Sequence, residues 1–230
     1  MDVLVIDVGG THVKILATGR TTGRKMASGP TLTAAQMASG VKKLARGWKY
    51  EAVAIGYPGP VVRNRPAAEP HNLGPGWVDF DYEAAFRRPV RMINDAAMQA
   101  LGSYQGGRML FLGFGTGLGT TLIVDGTVVP MELAHLPYRR ATFEDYVGEA
   151  AIERDGERKW RRRALDVIER LAAALEPEDV VLGGGNARLF RELPPRCRLG
   201  DNANAFPGGF RLWAGARPGA PKRAATRRRR

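Results

Sequence analysis

Cysteine is nearly missing from this chain. The one thiol in 230 residues, Cys197, has no partner for an internal disulfide, and a reducing cytoplasm is the simplest setting for such a protein. Long apolar runs are missing as well. The longest are strand-sized, so no membrane-spanning helix is expected. The chain opens without a charged segment leading into an apolar one, so no signal peptide is expected either. Acidic residues are scarce: 23 Asp and Glu stand against 35 Lys and Arg, a formal net charge of +12. Residues 214–230 hold seven basic residues and no acid, which leaves +5 for residues 1–213. That Ala/Pro/Gly/Arg-rich tail reads as disordered. It is either a solvated tail or an unselective holder of polyanions, and it implies no specific nucleic-acid partner.

Glycine is plentiful, with 29 residues, and is concentrated where the chain turns. Met109–Val124 places two short, β-prone apolar runs around Gly113-Phe114-Gly115-Thr116-Gly117-Leu118-Gly119. The pattern is strand, tight turn, strand. Glycines on alternate positions leave no side chain between the backbone N–H groups and a ligand, and such a turn can cradle phosphate oxygens. Val3–Leu16 repeats the pattern. At a constant offset of 106 residues Gly9 falls on Gly115 and Thr11 on Gly117, which points to an internal duplication. Only the first copy has an acid beside its turn, Asp7.

The remaining segments alternate. Thr31–Arg46 has helical spacing, and Ala52–Gly56 is a buried strand running into the loop Tyr57-Pro58-Gly59-Pro60. Residues 63–79 form a long loop, more often functional than idle in a compact chain. Tyr82–Phe86 fits a short helix, Val90–Ile93 a strand and Ala96–Tyr104 a helix, so Asn94-Asp95 lies at a strand-to-helix junction. There Asp95 either caps the helix or serves chemistry. Glu132 and His135 are three residues apart and can share a helical face. Glu144–Val147 starts a helical segment, and Arg161–Leu175 is an amphipathic helix whose flank Arg158–Arg163 reads as a solvated face. Val180–Leu182 is a strand ending in a third glycine turn, Gly183-Gly184-Gly185-Asn186, at the strand end where α/β proteins bind nucleotides. Leu199–Trp213 closes the fold.

Together these motifs resemble the ROK family of sugar kinases, within the actin/hexokinase superfamily, over residues 1 to about 213. Asp7-Val8-Gly9-Gly10-Thr11 with Lys14 resembles the family's first phosphate motif, and Gly115-Thr116-Gly117-Leu118-Gly119 the second. Gly56–Val61 resembles the loop beside the sugar, and Asn72-Leu73 with Trp77 a segment that approaches it. Asn94-Asp95-Ala96 matches the segment carrying the catalytic base. Glu132-Leu133-Ala134-His135 matches a sugar-binding Glu-x-Gly-His in which Ala134 replaces Gly, a change expected to bring a methyl group near the sugar. Leu182–Asn186 matches the donor-side glycine motif. The family usually adds a zinc cluster of one His and three Cys. With one Cys far downstream that cluster is not expected here, and Glu144 falls where the family has a second sugar-binding Glu. The polyphosphate/ATP glucokinase branch also lacks the cluster and carries a Lys-Trp like Lys159-Trp160.

The resemblance implies a two-domain α/β fold of the actin-like/hexokinase type, a duplicated ribonuclease H-like unit with a cleft between residues 1–107 and 108–213. It implies a phosphoryl transfer from polyphosphate or ATP to the 6-hydroxyl of a hexose, glucose first. Asp95 is then the base. Asn72, Asn94, Glu132, His135 and Glu144 hold the sugar. Gly9, Gly10, Thr11, Lys14, Gly115, Thr116 and Gly117 hold phosphates, Gly183–Asn186 hold the donor, and Asp7 orients Mg2+ through water. A homodimer is the expected assembly. The alternative is a non-catalytic or regulatory binder of sugar or polyanion. Family repressors carry an N-terminal helix-turn-helix domain, for which a hairpin beginning at Val3 leaves no room.

Overall fold

The computed structural model describes residues 1–214; the basic tail, for which disorder is expected, lies outside the described residues from position 215 on. The first lobe runs β1 (Val3–Val8), β2 (His12–Ala17), β3 (Arg24–Ala27), α1 (Ala34–Leu44), β4 (Ala52–Tyr57), the small hairpin β5 (Val61–Val62) and β6 (Arg65–Pro66), α2 (Tyr82–Phe86), β7 (Val90–Asn94) and α3 (Asp95–Ser103). The second runs β8 (Arg108–Phe114), β9 (Leu118–Val124), β10 (Thr127–Met131), β11 (Pro137–Tyr138), β12 (Ala141–Thr142), α4 (Phe143–Val147), α5 (Glu149–Asp155), α6 (Glu157–Leu175), β13 (Asp179–Gly183), β14 (Cys197–Leu199) and α7 (Ala205–Arg211). No helix among the described residues is long and apolar enough to cross a membrane.

The duplication is visible in the sheets. The first has strand order β3-β2-β1-β4-β7 and the second β10-β9-β8-β13-β14. In each, the first three strands pair antiparallel and the last two join in parallel. The offset of 106 holds only up to the turns. Val8 faces Val13 across four turn residues, whereas Phe114 faces Leu118 across three, so the second hairpin is one residue shorter.

Each sheet has one face for its own lobe and one for the other. Leu4, Ile6, Val8, Val13 and Ile15 pack on α1 and α2, and Leu110, Leu112 and Phe114 pack on α6. On the opposite faces Val3, Val5, Ala52 and Ala54 meet Met98 of α3 and Ala205 of α7, while Met109, Phe111 and Val181 meet Ala100 of α3. Thus α3 lies between the two sheets, and the last helix returns to the first sheet after the chain has completed the second. Two glycines admit the first turn of α3. A Cβ on Gly56 would overlap the Met98 side chain, and one on Gly119 would lie 2.7 Å from Ala96 Cβ. The N-terminus of α3 is therefore wedged between β4 and β9.

Candidate active site

The helix cap at this junction is Asn94, not Asp95. Asn94 Oδ1 accepts the Ala97 N–H at 3.1 Å, and its Nδ2 donates to the Gly59 carbonyl at 3.2 Å. Asn94 thereby ties the Tyr57–Pro60 loop to the helix start. Asp95 is the first helical residue, and its Oδ1 accepts the Ala96 N–H at 2.8 Å. Burial pushes the Asp95 carboxyl up to about 7, with the Asp7 and Glu132 carboxylates adding to the rise and the backbone N–H bond opposing it. Like charges act in this way only across a shared space. The carboxylates of Asp7 on β1 and Glu132 after β10 are thus near enough to Asp95 on α3 for their charge to be felt. Asp7 is 6% exposed; burial raises its carboxyl too, and Lys14, 3.4 Å away on the paired strand, counters that.

Both hairpin turns have their carbonyls tied down. In the first, Ser28 Oγ donates to the Gly9 carbonyl at 2.6 Å, the Ser28 N–H to the Thr11 carbonyl at 3.0 Å, and the Gly9 N–H to the His12 carbonyl at 3.0 Å. In the second, Asn186 Nδ2 donates to the Gly115 carbonyl at 3.3 Å, the Glu149 N–H to the Thr116 carbonyl at 3.2 Å, and the Gly115 N–H to the Gly117 carbonyl at 3.0 Å. Among the described residues, the N–H groups of Gly10, Thr11, Thr116 and Gly117 donate to no protein acceptor. Each turn thus has two consecutive N–H groups without a protein partner, groups of the kind that can bind an anion, and the two turns are hereafter the first and second cradle. The third turn abuts the second. Gly184 has φ +81°, and a Cβ there would overlap the Phe114 carbonyl, so only glycine fits. Ser28 carried no motif and was not identified from the sequence; its role depends on β3 returning alongside β2.

The remaining predicted sugar residues fall in three places. Asn72 is exposed, and a Cβ on Gly10 would lie 3.6 Å from its Cβ, so it flanks the first turn. Glu132 and His135 bound a single 3-10 turn, Leu133–His135, and both are exposed. Glu144 lies on the second cradle: its Oε2 accepts the Leu118 N–H at 3.2 Å and fills the space where a Cβ on Gly117 would go.

Three expectations change. Trp77 does not face a sugar; it is fully buried beside Tyr57, with Nε1 donating to the Gly74 carbonyl at 2.7 Å. It supports the loop carrying Asn72 from behind, because its large apolar ring is better buried than displayed. Ala134 is buried in the core of the second lobe, so its methyl group faces inward. Trp160 is fully buried against Phe114 and Phe190, and its neighbour Lys159 pairs with Asp155 at 3.7 Å. Trp160 therefore offers no contact to a long anion, while the Lys159 side chain stays largely exposed. Among the described residues no three His, Cys, Asp or Glu side chains gather as a metal site. Burial and the nearby Asp179 push the Cys197 thiol up to about 11, so it stays protonated at neutral pH.

Comparison with known proteins bears on the family and the fold. A family model described as the ROK family matches residues 3–130. A polyphosphate glucokinase of Mycobacterium tuberculosis is 26% identical over 207 residues, covering 80% of this chain and 77% of its own. The inorganic polyphosphate/ATP-glucomannokinase of Arthrobacter sp. strain KM superposes with a TM-score of 0.76 at 22% identity, over 93% of this chain and 98% of its own. A ROK family glucokinase of Streptomyces griseus, in complex with glucose and AMPPNP, gives 0.72 at 18% identity over 92% and 99%. The fold is the actin-like hexokinase fold of these structures.

Proposed function

This chain belongs to the ROK family, and from that premise we propose that it transfers a phosphoryl group from polyphosphate or ATP to the 6-hydroxyl of a hexose, glucose in the first instance. One observation carries the reading: a carboxyl raised to about 7, Asp95, opens the helix that packs on both sheets, and each sheet's hairpin turn has unpartnered N–H groups. A base near neutrality suits proton transfer from a sugar hydroxyl. Phosphoryl transfer asks little more of the protein than positioning and charge neutralisation. Gly9, Gly10 and Thr11 hold the transferred phosphoryl from one side and Gly115, Thr116 and Gly117 from the other. Asn72, Asn94, Glu132, His135 and Glu144 take up the other hydroxyls. A Mg2+ ion would supply charge neutralisation on the donor phosphates. Asp7, which pairs with Lys14 at 3.4 Å, is the residue that would hold its water shell. Closure of the lobes excludes water and suppresses donor hydrolysis.

Ala variants of Glu132, His135 and Glu144 are expected to raise the sugar KM more than the donor KM in steady-state assays. A selective donor defect at Glu144 would assign it to the second cradle alone, which it already touches.

The names of the relatives support polyphosphate as a donor, and one structural feature does so independently. Asp7, Lys14 and Lys25 face one another in register across β1, β2 and β3. Directly paired residues share a sheet face, and like charges so placed repel. An anionic chain laid over Lys14 and Lys25 toward the sheet edge would relieve the repulsion between them. The third glycine turn, next to the second cradle, remains for a nucleoside. Truncation after Trp213 should leave polyphosphate-driven turnover intact and salt-sensitive. If the truncated protein uses ATP alone, polyphosphate use depends on the tail; if the full chain uses ATP alone, polyphosphate is not a donor.

A further inference from the structure

The loop carrying Glu132 is held by one buried hydroxyl. Thr120 on β9 is 3% exposed. Its Oγ1 donates to the Met131 carbonyl at 2.6 Å and accepts the Leu133 N–H at 3.2 Å. A hydroxyl has one proton to give and lone pairs to receive, so the two bonds form together. They fasten the backbone on both sides of Glu132 and leave its side chain free. The ladder between β9 and β10 ends at the Thr120–Met131 pair, and Pro130, just before it, has no N–H to give. The Thr120 side chain takes over where the ladder stops. Glu132 needs that support. Among the described residues its carboxylate accepts no protein hydrogen bond, and it opens the following 3-10 turn with no side-chain cap.

We propose that Thr120 is a positioning residue for the sugar site: its hydroxyl, bonded to Met131 and Leu133, sets the direction in which Glu132 presents its carboxylate to the hexose. This rests on the reading of Glu132 as a sugar ligand. A pre-set carboxylate binds without first being ordered, so loosening the clamp weakens sugar affinity and leaves the donor side alone.

The test uses the full chain. Thr120→Val keeps the shape and removes both bonds; Thr120→Ser keeps both bonds and removes a methyl group. The Val variant is expected to raise the glucose KM, and the glucose Kd measured by calorimetry without donor, tenfold or more. Its donor KM should stay within about twofold. The Ser variant should return the glucose values to within threefold of the wild type. A purely structural role would not split the two substrates or respond to Ser. An unchanged glucose KM in Thr120→Val overturns the proposal, and so does a Ser variant as impaired as the Val variant. If Thr120→Val does not fold, amide exchange in the wild type decides: a slowly exchanging Leu133 N–H supports the clamp and a fast one overturns it. A wild type that binds no hexose overturns the kinase reading and this proposal together. A wild type that phosphorylates glucose beside an unaffected Val variant overturns this proposal alone.

Discussion

Asp95→Asn should lower turnover by about 10²–10⁴-fold, the usual contribution of a positioned base, while sugar binding persists. The amide oxygen of Asn can still accept the Ala96 N–H, so the start of α3 keeps its geometry. The pH profile of the wild type follows from the same carboxyl. Asp95 acts as a base only when ionised, so turnover should fall about tenfold per unit as pH drops below about 7. Stability moves the opposite way. The folded carboxyl sits above its ordinary value of about 4, so between about pH 4 and 7 the folded state holds a proton that the unfolded chain has lost. The cost of ionising Asp95 grows through that window and is complete above about pH 7, with a ceiling of about 4 kcal/mol. Asp95→Asn removes the cost. It should raise the melting temperature at pH 8 and change little at pH 4, so the variant that stops turnover is also the more stable protein. Near-normal turnover in this variant would leave Asp95 as a structural residue at the start of a helix.

Trp160→Ala should destabilise the protein by about 3–5 kcal/mol, the range for removing a large buried aromatic. That corresponds to a fall of about 6–20 °C in melting temperature for a chain of this size. The indole meets the Phe114 ring edge-on at 5.8 Å and lies 5.4 Å from Phe190. Its Nε1 donates to the Val147 carbonyl at 2.7 Å, and truncation strands that buried acceptor. Since Phe114 ends the strand leading into the second cradle, any loss of turnover should follow loss of fold and affect both donors equally. Calorimetry and activity on the same samples check this. An unchanged melting temperature with a selective polyphosphate defect would place Trp160 at the donor.

The comparison of these two residues shows what a sequence reveals and what it hides. Asp95 was legible because a strand pattern stops and a helix pattern starts beside it, and that junction is local. The two glycine hairpins and the third glycine turn were legible for the same reason, as was the duplication, which fixed two sheets of equal strand order. Trp160 and Trp77 were legible as residue types in a motif, but a motif does not say which way a ring points. Both point into cores, because apolar area of that size is best removed from water. The cap at Asn94 was missed because Asn and Asp are both good caps and only the hydrogen bond to Ala97 decides between them. Ser28 and Thr120 were missed because their partners, Gly9, Met131 and Leu133, are 11 to 19 residues away and in other elements or turns. The return of α7 to the first sheet joins residues about 200 positions apart, Val5 and Gly209, and no local pattern encodes it.

The most direct test of the account is product formation by the purified full chain, given glucose, Mg2+ and either polyphosphate or ATP, with glucose 6-phosphate detected through a coupled dehydrogenase. The account predicts sustained turnover with at least one donor, dependent on Asp95 and rising with pH up to about 7. Saturable glucose binding with no phosphorylation from either donor would contradict it and leave a sugar-binding protein without a kinase reaction.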